Sequence, residues 1–140
     1  MIHLLKLAVG VRDVGHLAEI QRRRALADPP LRHQTRSVPR RADELTAGGS
    51  IYWVIGGAIL VRQRVLDVIE DRWDDDTRCA GLLLDPDLVR VAARPMRAFQ
   101  GWRYLTEEDA PMDITTSEAA RADELPAELQ RSLRALALLP

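Results

Sequence analysis

Between Gly48 and Ile69 the chain reads GGSIYWVIGGAILVRQRVLDVI, two β-rich runs separated by Gly56-Gly57. A two-residue hairpin of type I′ needs positive φ at both central positions, which glycine adopts without steric cost. With the diglycine as the turn, uninterrupted pairing sets Ile55 against Ala58, Val54 against Ile59, Trp53 against Leu60, Tyr52 against Val61 and Ile51 against Arg62. Side chains alternate along a strand, so two faces separate. One carries Tyr52, Val54, Ile59, Val61, Gln63 and Val65; the other carries Ile51, Trp53, Ile55, Leu60, Arg62, Arg64 and Leu66. The first is a core face. The second is apolar near the turn yet sets two guanidinium groups beside an indole. A sheet apolar on both faces must be covered on both or closed on itself. The expected architecture is therefore α+β, a small mixed β-barrel or roll with flanking helices.

The flanking sequence supplies the other elements. His3 to Val11 reads as a strand, and Asp13 as the N-cap of a helix from Val14 to about Ala27. Asp28-Pro29-Pro30 stops that helix, because proline has no N–H to donate. Leu31 to Ser37 is read as extended, with Arg32, Gln34 and Arg36 on one side, and Pro39 opens a short helix through Leu45. Beyond the hairpin, EDRWDDDT is a polar turn, and Asp85-Pro86 is read as a second turn between short strands at Ala80–Asp85 and Leu88–Ala92. Phe99 to Leu105 is a further strand with Trp102 and Tyr104 on one face, Glu107 to Thr116 a loop, and Ser117 to about Glu124 a weak helix. Pro126 opens a better one, with Leu129, Leu133 and Leu136 in a stripe. At 140 residues one domain is expected, residues 1–116 its barrel core and 117–140 a C-terminal helical segment.

Charge decides which partners to weigh. Net charge is −1, but residues 1–64 carry +6 and residues 65–140 carry −7. An anionic partner for the N-terminal half follows from that asymmetry. Of the 20 basic residues 19 are arginine, so no single arginine is diagnostic. A single cysteine, Cys79, excludes an internal disulfide, and no apolar run approaches a membrane span. The expected compartment is the cytoplasm, with no membrane partner.

HLLKLAVGVRD, DPPLRHQTR, the GGSIYWVIGGAILVRQRVLD hairpin, FQGWRYL followed by EDAP, and the closing LPAELQRSL resemble an uncharacterised bacterial domain-of-unknown-function family over nearly the whole chain. That resemblance implies no activity. More loosely, the short helix, Gly-Gly step, aromatic strand and RQRVLDV strand are similar to the centre of PUA-like barrels, among them the EVE and ASCH domains. This second resemblance implies a PUA-like barrel and binding of RNA or a modified nucleotide. The chain departs from those domains in having Gly48-Gly49 where Gly-Asp is usual, and it lacks the lysine and acidic motif of catalytic ASCH members.

Arg62 and Arg64 on the Trp53 face are the first candidate site, with Trp102 and Tyr104 as further stacking groups. Guanidinium forks bind phosphate and aromatics stack bases; equally, the arginines are satisfied by carboxylates of the acidic half. A second candidate is the basic stretch holding Arg22, Arg23, Arg24, Arg32, Arg36, Arg40 and Arg41 with His33 inside it, which binds nucleic acid only if its charges share a face. Trp102 and Tyr104 fit a core role as well as a stacking one. No catalytic residue, metal ligand set or cofactor motif emerges: Asp74, Asp75 and Asp76 lack calcium-loop spacing, and there is no phosphate-cradling glycine loop. The leading expectation is binding of RNA or a nucleotide. A nucleotide or RNA hydrolase in the same pocket would need Asp67 or Lys6 there. An interaction module would use the Leu129, Leu133, Leu136 stripe against a partner or a second copy.

Overall fold

The diglycine does make the turn. In the computed structural model, which describes residues 1–123, Gly56 and Gly57 have φ of 60° and 84°. They join β3 (Ser50–Ile55) to β4 (Ala58–Arg72). Around this hairpin, β1 (Ile2–Leu7), β2 (Arg32–Thr35), β5 (Arg78–Pro95) and β6 (Trp102–Thr106) complete one mixed sheet in the order β2-β5-β4-β3-β1-β6. Only β1 and β3 run parallel; the other neighbours are antiparallel. β2 and β6 are left as the two edges, so the sheet is open rather than closed into a barrel by strand pairing. With α1 (Val14–Ala27), α2 (Ala42–Thr46) and α3 (Thr116–Asp123), the architecture is α+β. Residues 129, 133 and 136, and the helix expected from Pro126, lie outside the described residues.

The hairpin register departs from expectation after four residues. Ile55 faces Ala58 and Val54 faces Ile59, but Trp53 faces Val61, Tyr52 faces Arg62 and Ser50 faces Arg64. Leu60 is a bulge, and every residue beyond it changes face. Leu60 and Val61 consequently enter the same core as Trp53, while Gln63 rather than Arg62 projects beside the indole. The expected pairing of Trp53 with Arg62 and Arg64 on one face is thereby overturned. The physical reason is the burial of this face: it admits a neutral amide with matched partners, whereas a guanidinium there would need a buried counter-charge.

Both faces of the sheet are covered. One core holds Ile2, Leu4, Leu17, Leu45, Ile51, Trp53, Ile55, Leu60, Val61, Val65, Leu82 and Leu84 beneath α1 and α2. A smaller one gathers Leu5, Tyr52, Val54, Ile59, Val91 and Leu105, with Met96, Phe99 and Ala110 against it. Asp13 caps α1 as expected, its carboxylate accepting the His16 N–H at 2.7 Å. The first strand ends at Leu7 rather than Val11. Asp85-Pro86 is not a turn: β5 continues through it, with register irregularities against β4, and proline is tolerated at such a bulge. The polar EDRWDDDT stretch does reverse the chain, with Asp76 at φ 70°. Residues 112–114 bond to Arg90 and Ala92 along the free upper edge of β5, which brings Asp113 against the second face.

Candidate functional site

The bulge splits the first expected site in two. Arg62 lies on the Tyr52 face, where it donates to both carboxylate oxygens of Asp113 at 2.7 and 2.8 Å and to Ser50 Oγ at 3.2 Å. That hydrogen-bonded carboxylate raises the guanidinium's pKa further, and Arg62 in turn lowers that of Asp113. Arg64 projects from the same side into solvent. Trp53, Trp102 and Tyr104 are on the opposite face. Trp102 sits beside Lys6, and its ring meets Tyr104 edge-on at 5.0 Å. Tyr104 accepts the Arg41 N–H at 3.0 Å, and the Arg41 guanidinium lies over its ring while pairing with Glu44. Both aromatics therefore border the core, and Tyr104 ties the start of α2 to the sheet edge.

On the Tyr52 face, His3, Glu107 and Ser50 have the residue types of an acid–base–nucleophile set. Their bonds are structural instead. His3 Nε2 meets Glu107 Oε2 at 2.5 Å, but Nδ1 accepts the Ser50 main-chain N–H at 2.9 Å, so the imidazole has no lone pair left for the hydroxyl. Ser50 is moreover 1% exposed. Asp67 spends a carboxylate oxygen on the Val68 N–H, and Lys6 Nζ donates to Leu7 O. Burial lowers the pKa of Lys6. Among the described residues no group of histidine, cysteine and carboxylate side chains gathers to hold a metal.

A cleft forms where the basic stretch meets the sheet. An inner cavity of about 180 Å³ reaches Trp53 and Gln21 between β1, α1 and β2, and an outer one of about 340 Å³ opens beneath Trp73 of the β4–β5 turn. They share one wall: Arg24, Leu31, Arg32 and His33. Behind it, Gln63 forms a reciprocal amide pair with Gln21 at 2.8 and 2.6 Å, accepts the Trp53 Nε1–H at 3.1 Å, and donates to Asp85 O at 2.9 Å. That network fixes the indole. His33 meets the same indole edge-on at 5.4 Å, and its ring nitrogens make no hydrogen bond among the described residues. Arg24 has no carboxylate partner among them either, whereas Arg32 is bound to Asp71 and Asp28.

Electrostatics keep His33 neutral. Burial first, then the charges of Lys6 and Arg24, push its pKa down to about 4. Near neutral pH the ring thus offers one donor and one acceptor. The unfolded chain takes up this proton near pH 6.5 and the folded one only near 4, so stability falls as pH drops through that window. The loss expected from this one group is a few kcal/mol at most. Urea titrations from pH 7 to 4 check it: His33→Gln should flatten this limb, and an unchanged slope would remove His33 as its source. The carboxyl of Asp71 is held below its usual range, chiefly by its hydrogen bond from Arg32.

Sequence reasoning singled out Arg32 and His33 but placed neither in a pocket, and it passed over Trp73, which sits in a run of aspartates. Arg36 lies further along the same chain segment in a separate groove, and Arg40 is exposed. Compared with known families, residues 4–139 match the model of DUF1489, described as a protein of unknown function. The chain belongs to this family. No curated protein and no solved structure matches it. The site of this DUF1489 chain is therefore read from its own residues. No helix among the described residues is long and apolar enough to cross a membrane.

Proposed function

We propose that the cleft binds a nucleotide unit of RNA or a free nucleotide, with the base inside and phosphate at Arg24. The observation that carries this reading is the shared wall: an imidazole whose ring nitrogens make no hydrogen bond, and an arginine with no carboxylate partner, among the described residues, between cavities floored by Trp53 and flanked by Trp73. A cavity of about 150 Å³ takes a benzene ring, so the inner space of about 180 Å³ suits a single six-membered ring such as a pyrimidine. His33 would read its edge, and Trp73 would stack the neighbouring face. Arg62 and Arg64 are outside it.

Fluorescence anisotropy with a labelled single-stranded RNA at low salt tests the assignment. Loss of one stacked base and one phosphate contact should weaken binding roughly tenfold or more in Arg24→Ala/Trp73→Ala. Arg62→Ala/Arg64→Ala should bind as the parent does. Absence of binding by the parent protein, or the opposite ranking of the two variants, would overturn it.

A further inference from the structure

A groove of about 560 Å³ lies on the far side of the β4–β5 turn. Arg36 enters it from the end of β2, and Arg72 and Arg78 from the paired ends of β4 and β5. Arg36 and Arg78 have no carboxylate partner among the described residues, and Arg72 is 3.8 Å from Asp76 with both side chains exposed. Of the two carboxylates in the lining, Asp71 is committed to Arg32 and Gln34, leaving Glu70 against three guanidinium groups. The groove is cationic, and the described carboxylates leave its charge uncompensated.

Its borders are those of the nucleotide cleft. Residues 30–34 line the cleft and 36–38 the groove; Trp73 lines the cleft and its neighbour Arg72 the groove. Arg36 follows the last residue of β2 and is four positions from Arg32, a span of at most about 13 Å. Successive phosphates of a stacked strand rise about 3.4 Å. A lone nucleotide seated at His33 with its phosphate at Arg24 leaves Arg36 to a second unit, which a short strand supplies. We infer, resting on the nucleotide reading above, that the ligand is a single-stranded polynucleotide whose backbone leaves the cleft past Trp73 and runs along Arg36, Arg72 and Arg78.

Calorimetric titration with uridine mono-, di- and tetranucleotides, and with the matching thymidine series, tests this on the full chain. Affinity should rise at least about tenfold from mono- to tetranucleotide, and the series that shows the rise identifies the sugar. Arg36→Ser/Arg78→Ser should abolish the length dependence and leave mononucleotide affinity unchanged. Its salt dependence with the tetranucleotide should be shallower by about 1.4 in log–log slope, two contacts at ~0.7 each. Arg36→Lys/Arg78→Lys, which keeps the charges, should restore most of the binding, and equal urea midpoints should show that all variants fold. A mononucleotide that binds as tightly as the tetramer, or a serine variant with parental length dependence, overturns the strand while sparing the nucleotide site. Failure of every nucleotide to bind overturns both, and equal affinity for an oligoglutamate peptide shows the groove to be a general anion surface, which also overturns the inference.

Discussion

Gly49→Ala is expected to leave no stably folded protein at 25 °C. A Cβ at this position would fall under 3.0 Å from the main-chain oxygens of Ile2 and Leu45. Neither neighbour can yield. Leu45 O accepts the Gly49 N–H at 2.7 Å where α2 turns into β3, and Ile2 is paired with β6. The Gly49 carbonyl also accepts the Val65 N–H at 3.1 Å, so a shift of Gly49 would pull on β4 as well. Forcing strand and helix apart at a buried junction belongs with the rare substitutions above ~4 kcal/mol. Far-UV circular dichroism and a urea transition check it; a cooperative transition within about 1 kcal/mol of the parent would show that the junction opens freely. The close approach of the Ile2 and Leu45 backbones is the reason this chain needs glycine at this position.

Gln63→Leu should be the next most damaging change, although it keeps size and adds hydrophobicity. Gln63 is 0% exposed and its amide makes four hydrogen bonds, two accepted and two donated. Leucine would strand both ends of the Gln21 amide, the Trp53 Nε1–H and one bond to Asp85 O. A buried polar group left without a partner loses roughly 1–3 kcal/mol, so a total near 3–5 kcal/mol follows after partial relaxation. Arg64→Leu one residue away, exposed and beyond the network, should stay within about 0.5 kcal/mol. Parallel urea denaturation of the two variants measures the contrast. Equal midpoints would mean that the amide pair contributes nothing.

How much of this was readable beforehand depends on which physics was local. The Gly56-Gly57 turn and α1, from its Asp13 cap to Ala27, are set by residues within a few positions, and both stand where the sequence puts them. The bulge at Leu60 is not local, because period-2 alternation assumes an uninterrupted ladder. Its only trace is compositional: Gln63 flanked by Arg62 and Arg64 makes an outward Arg pair with an inward amide the cheaper solution once Leu60 and Val61 both seek the core. Pro86 misled for a similar reason, since a proline reads as a stop unless a bulge receives it. The candidate site failed at the same point. Arg62 was matched to the wrong aromatic, while His33 and Arg24 met Trp53 and Trp73 only through the pairing of β2 with β5, a contact of some fifty residues' separation. The arginine richness of the N-terminal half was visible; which of those arginines lack a carboxylate partner among the described residues was not.

The placement of β1 has a consequence for how such a chain is made. β1 lies between β3 and β6, and its partner residues on β6 are synthesised roughly a hundred positions later. At about 5–20 residues per second, the strand bearing Ile2, Leu4 and Leu5 waits some 5–20 s on the ribosome with one edge unmet. Through that interval the nascent polypeptide offers an open apolar ribbon to whatever extended segment arrives first.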